Sequence, residues 1–374
     1  MHNGIKIGIL MTAVLTVLGQ IDCKKEPQAI KIGVILPLTG SAAEIAQQHK
    51  IGLDLAVEEI NSRGGINGKK LQLIYENDQN EPKLTVSAFN KLVTVDRVPL
   101  IITVMSSPSM AIYNQAEQKG VVLFANCGHP EITSLSDWVF RNFPTSKHEA
   151  LKMAEFAFNK MGIRKIAIFY INDAFGEAAM KMFSQHFHRL GGQILKAEAF
   201  EKDGTDFRAS IRRLIAAKPE AIYIYGYGKA NGIALKQTKE LQYKGYILGS
   251  YNFSVEPTIS LAKEALEGTY YTTPAFDASS VTDTLTLAIV KKFETRFGAL
   301  PNWNSVIEFD ALFNLLTPIF SKYGTVPQKI KTGLENFSDF QGVAGFYKYD
   351  PVGEWVIDLV VKKVEGTTGV QVYP

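Results

Sequence analysis

The sequence predicts an α/β protein with two lobes, each a doubly wound parallel sheet covered by helices on both faces. The first observation behind this prediction is that short, apolar, β-branched runs alternate with helical segments from Ile30 onward. The second is that this alternation occurs in two consecutive blocks, which predicts two lobes. The length of 374 residues and an ordinary globular composition, 46% hydrophobic and 21% charged, are compatible with two domains.

The first block of strands and helices spans roughly residues 30–143. The stretch 42–62 carries apolar residues at helical spacing, and Gly64 and Gly65 end that helix. A further helix begins at Pro82, and another follows the third strand. The predicted strands of this block are IKIGVILPL, KLQLIYEND, VPLIITVM, GVVLFANCG and a short WVFRNF.

The second block repeats the scheme and is followed by a less regular region. Its strands are RKIAIFYIND, GGQILKAEAF, EAIYIYGYG and GYILGSYN, and its helices lie near 149–161, 175–190, 206–217 and 229–242. The remainder contains GTYYTTPAF, helices near 283–297 and 304–323, and the hairpin-like segment GFYKYDPVGEWVIDLVVKKV.

Ser106 and Ser107 stand between the third strand and the helix that follows it. Pro108 is placed where the first helical residue is expected, with Ser107 before it as N-cap and Gly120 at the far end. A helix N-terminus has free N–H groups and a positive dipole end, so it favours an anion. We therefore expect a carboxylate to be held by the Ser106 hydroxyl and the backbone of the first helical turn.

Other candidate segments follow from the same topology. Open parallel sheets bind ligands at the carboxyl ends of their strands, and in two facing lobes the natural site is the cleft between them. The segments that follow predicted strands are LPLTGSAAE, MSSPS, NCGHPE, INDAFGE, YGYGKAN and GSYNF.

The N-terminus predicts export. Residues 1–23 contain a basic start, an apolar run from Ile7 to Leu18 and a polar break before Cys23, which is typical of a signal peptide. The segment resembles a lipoprotein signal, in which Cys23 would be lipidated. Gln20, Ile21 and Asp22 depart from the small residues expected before such a cysteine.

Charge and cysteine content exclude several classes of function. The net charge is +3, with both signs scattered along the chain, which argues against nucleic acid as a partner. Cys127 is the single cysteine after the predicted signal segment, so an internal disulfide or a cysteine zinc site is not expected. His186 and His188 lie two apart on a helix and point in different directions. We expect no metal and no cofactor.

Four segments carry a resemblance to a known family. KIGVILPLTGSAA and GLDLAVEEINSRGGINGKKLQLIYENDQNEP resemble the opening of type I periplasmic binding proteins of the leucine/isoleucine/valine kind. KIAIFYINDAFGEAAM and DFRASIRRLIAAKPEAIYIYGYG resemble the matching parts of the second lobe of that family. The resemblance covers essentially the whole chain after the signal segment. It implies lobes at 29–142 with 275–341 and at 143–274 with 342–374, which close about a hinge of three crossovers.

The resemblance also implies function. Members of the family are non-catalytic receptors that hand solutes to the membrane permease of an ATP-driven importer. The expected ligand is a small carboxylate-bearing molecule, either an amino acid or a deaminated or aromatic acid, bound by a monomer. The family's first ligand-binding serine falls on Ser106, with Ser107 beside it. The loop that completes the carboxylate site falls on Cys127, Gly128 and His129.

The second lobe departs from the family pattern at one position. An aromatic ligand contact of the family falls on Phe175, and a tyrosine is retained as Tyr227. The acidic residue that holds the α-ammonium group of amino-acid ligands falls on Tyr251. The carboxylate half of the site is therefore expected to be intact, whereas the ammonium half is not.

Three alternatives stay open at this point. A ligand sensor would use the same fold and the same closure. An exported hydrolase would need Ser106 as nucleophile, with His129 as its nearest candidate base, but no acid is placed to orient that histidine and the glycines of a nucleophile elbow are missing. A purely structural lipoprotein is the third alternative. A dinucleotide site at GYGKANG, residues 226–232, is not expected, because its third glycine is displaced by one position and the following strand offers no acid for a ribose.

Overall fold

The computed structural model describes Met1 and residues 28–366 and 368–374. The predicted signal segment after Met1, including Cys23, lies outside the described residues. Among the residues that are described, none of the helices combines the length and the apolar character that a membrane span requires.

The first sheet is parallel throughout. Its strands are β1 (Ile30–Leu36), β2 (Leu71–Asn77), β3 (Leu100–Val104), β4 (Val122–Asn126) and β5 (Val139–Phe140). They are arranged in the order β2-β1-β3-β4-β5. All residues of β3 and β4 are buried, as expected for apolar strands covered on both faces.

The parallel part of the second sheet follows the same plan. It contains β6 (Lys165–Ile171), β7 (Gln193–Phe200), β8 (Ala221–Tyr225), β9 (Tyr246–Gly249) and β10 (Tyr270–Pro274). The pairings of β6 with β7 and β8, of β8 with β9 and of β9 with β10 are parallel.

The C-terminal strands are divided between two sheets. A small antiparallel sheet contains β11 (Phe340–Gln341), β12 (Phe346–Asp350) and β13 (Glu354–Ile357), whereas β14 (Leu359–Glu365) and β15 (Thr368–Tyr373) belong to the second sheet. The order of the second sheet is therefore β15-β14-β10-β9-β8-β6-β7, with β14 antiparallel to β10. The small sheet is anchored at Asp310, whose carboxylate accepts hydrogen bonds from the backbone N–H groups of Val343 and Ala344.

Helices cover the sheets. They are α1 (Ala43–Ser62), α2 (Pro82–Lys91), α3 (Ser106–Lys119), α4 (Ser146–Glu155), α5 (Ala174–Arg189), α6 (Arg208–Ala216), α7 (Gly228–Glu240), α8 (Thr258–Ala262), α9 (Thr284–Phe297), α10 (Trp303–Phe309), α11 (Thr317–Tyr323) and α12 (Pro327–Glu335). The predicted continuous helix near 304–323 is divided into α10 and α11 by wider π-helical turns at Asp310–Leu316. These turns lie directly before Pro318, which has no N–H to donate to a regular α-helical bond.

Candidate ligand-binding site

A cavity lies at the carboxyl ends of β3 and β4, opposite the first turns of α5 and α7. The space between its lining atoms, including the part that is open to solvent, is about 400 Å³. We call it the central cavity. The described residues that line it are Ile45, His49, Met105, Ser106, Asn126, Cys127, Gly128, Phe143, Phe175, Tyr227, Tyr251, Asn252 and Asn304.

Ser106 is the first residue of α3 and faces the central cavity. Met105, just before it, has a φ of 64°, and this left-handed conformation turns the chain sharply from β3 into the helix. The hydroxyl of Ser106 is buried and makes no hydrogen bond to any described residue. A buried, unpartnered hydroxyl at a helix N-terminus is suited to an anion, because the first N–H groups of the helix also lack partners.

Ser107 lies within the first turn of α3 and not at its N-cap. The prediction that Ser107 is the N-cap and Pro108 the first helical residue is wrong, since the helix begins at Ser106 after Met105. Pro108 is tolerated at the third helical position because that N–H would have no partner within the helix. Ser107 does not line the central cavity. Its Oγ instead accepts a hydrogen bond of 3.4 Å from the backbone N–H of Ala174, at the start of α5.

Cys127 and Gly128, which follow β4, form part of the cavity wall. Burial raises the pKa of the Cys127 thiol, so this side chain carries no charge at neutral pH. A Cβ at Gly128 would lie 2.5 Å from Cε2 of Phe175, so glycine is required for this close approach. His129 is not among the residues that line the cavity, and burial lowers the pKa of its imidazole.

Arg141 holds this segment in place, although its sequence context gave no signal for that role. The guanidinium is fully buried and forms an ion pair with Glu354, with 2.6 Å between Nε and Oε2. It also donates hydrogen bonds to the backbone carbonyls of Cys127, His129 and Pro130. The loop after β4, which borders the central cavity, is therefore held by one side chain, that of Arg141. This residue follows β5 and pairs with Glu354 at the start of β13.

Aromatic rings form the opposite wall. Tyr251 follows β9, and its ring centroid lies 4.5 Å from that of Trp303 and 5.7 Å from that of Phe143. Phe175, at the start of α5, lies 6.2 Å from Tyr251 and 4.6 Å from Tyr225. The structure thus brings Phe175, Tyr227 and Tyr251 together with Ser106, Cys127 and Gly128 around one cavity.

Glu149 binds the backbone of Tyr251 and so helps to position this part of the cavity wall. This fully buried carboxylate accepts hydrogen bonds from the backbone N–H of Tyr251 at 3.0 Å and from Oγ1 of Thr272 at 2.6 Å. It also accepts one from the hydroxyl of Tyr225. Burial raises its pKa to about 7, although these hydrogen bonds act in the opposite direction.

We expect Glu149 to make stability depend on pH. The pKa of Glu149 is raised from 4.5 to about 7 in the folded state. The stability that this shift adds to the free energy of unfolding is therefore fully present below pH 4.5 and is lost as pH rises through 7. Glu149→Gln removes this titration and keeps an oxygen that accepts from Thr272. Urea unfolding between pH 5 and 8 should show the wild type losing stability relative to the variant as pH rises. A difference that is constant over this range would contradict the raised pKa.

Tyr227 links the two sides of the cleft through its hydroxyl. The hydroxyl donates to Oδ2 of Asp173 at 2.5 Å and accepts from Nδ2 of Asn80 at 2.9 Å. Asn80 belongs to the turn between β2 and α2, whereas Asp173 caps α5 by accepting from the N–H groups of Phe175 and Gly176. The hydroxyl of Tyr227 is therefore engaged both as donor and as acceptor, which leaves the aromatic ring of Tyr227 to line the cavity.

Tyr227→Phe should weaken ligand binding without changing ligand preference. The variant removes both hydrogen bonds of this hydroxyl, and the one from Asn80 is the bond that joins the two sides. Its loss destabilises the closed form by about 1 kcal/mol, or about fivefold in Kd. Calorimetric titration with several ligands should show the same factor for each. Tyr243→Phe is the matched control, because its hydroxyl donates to the carbonyl of Pro219 outside the cavity. A loss confined to one ligand would assign the hydroxyl to ligand contact instead.

The described wall of the central cavity has no formally charged side chain other than a histidine that could be protonated. Among the described lining residues there is no Asp, Glu, Lys or Arg, and His49 is the one imidazole. In the part of the chain that the structure describes, no group of three His, Cys, Asp or Glu side chains is arranged to hold a metal ion. The wall therefore offers hydroxyls, amides, backbone N–H groups and aromatic rings.

Several lining residues were not singled out from the sequence. Ile45 and His49 lie on α1, Phe143 follows β5, and Asn304 lies on α10. Asn126 and Asn252 lie within the predicted segments NCGHPE and GSYNF, although neither was chosen there as a site residue. His49 and Asn304 are far apart in sequence, and only the packing of α1 on α10 brings them to one wall.

Comparison with known proteins identifies the family. The family model described as "Periplasmic binding protein" matches residues 29–354, and the chain belongs to this family. The chain is 25% identical over 331 residues to a Leu/Ile/Val-binding protein homolog 2 of Brucella abortus (strain 2308), which covers 87% of each protein. Periplasmic binding proteins of the branched-chain amino acid type are thus its relatives, as the resemblance implied.

Solved structures share the fold. The leucine-binding protein LivK of Thermotoga maritima MSB8 has a TM-score of 0.85 and 24% identity, covering 92% of this chain and 98% of that one. A solute-binding protein of an ABC transporter from R. palustris, solved in complex with benzoate, has a TM-score of 0.83 and 20% identity, covering 92% and 96%. The two-lobed fold built on parallel sheets is therefore confirmed.

Proposed function

We propose that this chain is the extracytoplasmic binding component of an ATP-driven importer, and that it binds a small carboxylate without a free ammonium group in the central cavity. The observation that carries the proposal is the contrast between the two sides of that cavity. Ser106 offers an unpartnered buried hydroxyl at a helix N-terminus, whereas no acidic side chain is among the described lining residues.

Energetics favour this ligand class over amino acids. A buried ammonium without a charged partner costs several kcal/mol, and Tyr251 offers a phenol that accepts one hydrogen bond without cancelling the charge. A carboxylate, in contrast, meets the helix dipole, the Ser106 hydroxyl and backbone N–H groups. The ring of Tyr251 and those of Phe143 and Phe175 suit an apolar or aromatic body. The relatives include both a leucine-binding protein and a protein that binds benzoate, and the wall of this cavity favours the second type of ligand.

The remaining parts of the proposal follow from the family. The predicted signal segment 1–23 would direct export, with Cys23 as the lipid attachment site, and the partner would be a membrane permease. The lobes would comprise residues 29–142 with 275–341 and residues 143–274 with 342–374. The small sheet β11–β13 lies at the last of these boundaries and contacts Asp310 of the first lobe.

The hydrolase alternative finds little support in the geometry. Ser106 makes no hydrogen bond to an imidazole of the described residues, and His129 does not line the cavity. A serine nucleophile needs a base within hydrogen-bond reach.

Two measurements test the proposal. Mass spectrometry of small molecules released from the purified protein should identify an acid that lacks an ammonium group, and a free amino acid there would overturn the ligand class. Small-angle scattering of the ligand-free protein should then show compaction on addition of that acid, because a ligand that contacts both lobes favours the closed form. An unchanged radius of gyration, with binding verified by calorimetry, would overturn the closure mechanism.

A further inference from the structure

A second polar cluster borders the central cavity on the side of α1 and α10. His49 on α1 is 2% exposed, and its Nδ1 lies 2.8 Å from Oε1 of Glu308 on α10. Asn126 donates a hydrogen bond of 3.0 Å to the same carboxylate oxygen. These contacts fix the orientation of the imidazole, and because Nδ1 is engaged with Glu308, Nε2 is directed away from that carboxylate.

Asn304 on α10 lines the same cavity as His49 on α1. It lies one helical turn before Glu308, is 2% exposed and lines the cavity. Its Oδ1 is buried and has no hydrogen-bond partner among the described residues. Buried polar atoms are rarely left without partners, so this amide is expected to bind a group that enters the cavity.

We infer that His49 and Asn304 form a second ligand subsite, which binds a hydroxyl group of the carboxylate ligand. This inference rests on the proposed function. A hydroxyl both donates and accepts a hydrogen bond, so it satisfies the Asn304 amide in either of its two orientations and also pairs with Nε2 of His49. The ligand is therefore a hydroxylated acid, with its carboxylate at Ser106 and its hydroxyl at the α1–α10 wall.

Other polar groups fit this subsite less well. Oε1 of Glu308 accepts from Asn126 and contacts His49, whereas its Oε2 is buried without a partner among the described residues. Because Glu308 is not among the residues that line the cavity, neither oxygen is placed for direct contact with a ligand ammonium there. A second ligand carboxylate would place like charge near Glu308 and against the oxygen of Asn304. A methyl group would leave the amide without a partner.

The test compares hydroxylated acids with methyl isosteres. Calorimetric titrations would use benzoate, 3- and 4-hydroxybenzoate, 3- and 4-methylbenzoate, 4-(aminomethyl)benzoate, and the pair 2-hydroxy-4-methylpentanoate and 4-methylpentanoate. The wild type should bind at least one hydroxylated acid at least tenfold more tightly than its unhydroxylated or methyl counterpart. Asn304→Leu and His49→Phe should each reduce that preference to threefold or less, mainly by weakening binding of the hydroxylated acid.

Matched controls separate this role from a loss of folding. Asn314→Leu and His188→Phe change the same residue types outside the cavity and should keep the preference, with thermal unfolding recorded for every variant. Acids that bind without discrimination by the wild type, or variants that weaken both members of a pair equally, would overturn the subsite and leave the proposed function standing. Tightest binding of the aminomethyl compound would assign the wall to an ammonium, and would overturn both the subsite and the ligand class of the proposed function. Absence of binding by every acid would overturn the proposed function and the subsite together.

Discussion

Replacement of Arg141 by alanine should lower the free energy of unfolding by about 3–5 kcal/mol. The variant leaves the carboxylate of Glu354, which is 8% exposed, without its charged partner. It also removes the donor that binds the carbonyls of Cys127, His129 and Pro130. Since Cys127 lines the central cavity and His129 and Pro130 follow it in the same loop, ligand affinity should fall as well.

Urea unfolding of the wild type and Arg141→Ala measures the effect on stability. Arg208→Ala is the matched control, because Arg208 pairs with Asp206 and Glu240 at the surface, where such pairs contribute at most about 1 kcal/mol. The double variant Arg141→Met with Glu354→Gln should recover part of the loss, since no buried charge is left unpaired. Equal, small losses for Arg141→Ala and Arg208→Ala would show that the buried pair is not what holds this loop.

Ser106→Ala should weaken binding of the carboxylate ligand by about 1.5–3 kcal/mol, or roughly 10- to 150-fold in Kd. The hydroxyl has no partner among the described residues, so its removal costs the ligand-free protein little stability. The bound anion, in contrast, loses one charge-assisted hydrogen bond. Calorimetry with the acid identified by mass spectrometry gives the affinity, and thermal unfolding without ligand gives the stability.

Ser109→Ala provides the control for Ser106. Ser109 lies on the same helix and is fully buried, but its Oγ donates to the carbonyl of Met105 at 2.8 Å and contacts Thr103. This variant should lose about 1 kcal/mol of stability and keep its ligand affinity. If Ser106→Ala instead unfolds more easily and binds normally once folded, Ser106 belongs to the fold and not to the ligand site.

The parts of the site that lie at strand ends were predictable from the sequence. The carboxyl ends of parallel strands meet at one edge, so finding β3 and β4 was enough to expect Ser106, Cys127 and Gly128 near one another. The resemblance to the family added Phe175, Tyr227 and Tyr251, and all six residues line the central cavity. The start of α3 was misplaced by two residues because Pro108 is acceptable at more than one position in the first helical turn.

The parts that depend on packing between distant helices were not predictable. His49 and Glu308 are 259 residues apart, and no local pattern marks either as a partner of the other. Arg141 and Glu354 are separated by 213 residues and meet where β5 approaches the small sheet. Glu149 lies inside an ordinary amphipathic helix, where a glutamate is normally a surface residue. Long-range contacts of this kind carry no signal in a single sequence.

The most direct test of the central claim is a thermal-shift comparison on the ligand-free protein. Leucine, its 2-keto and 2-hydroxy counterparts and a set of benzoates would be added at equal concentration. A ligand at 100 times its Kd adds about 2.7 kcal/mol to the free energy of unfolding, so true ligands stand out clearly. We predict the largest shift for an acid without an ammonium group and a small shift for leucine. A largest shift for leucine, or for any other free amino acid, would contradict the claim that the cavity lacks a partner for the ammonium.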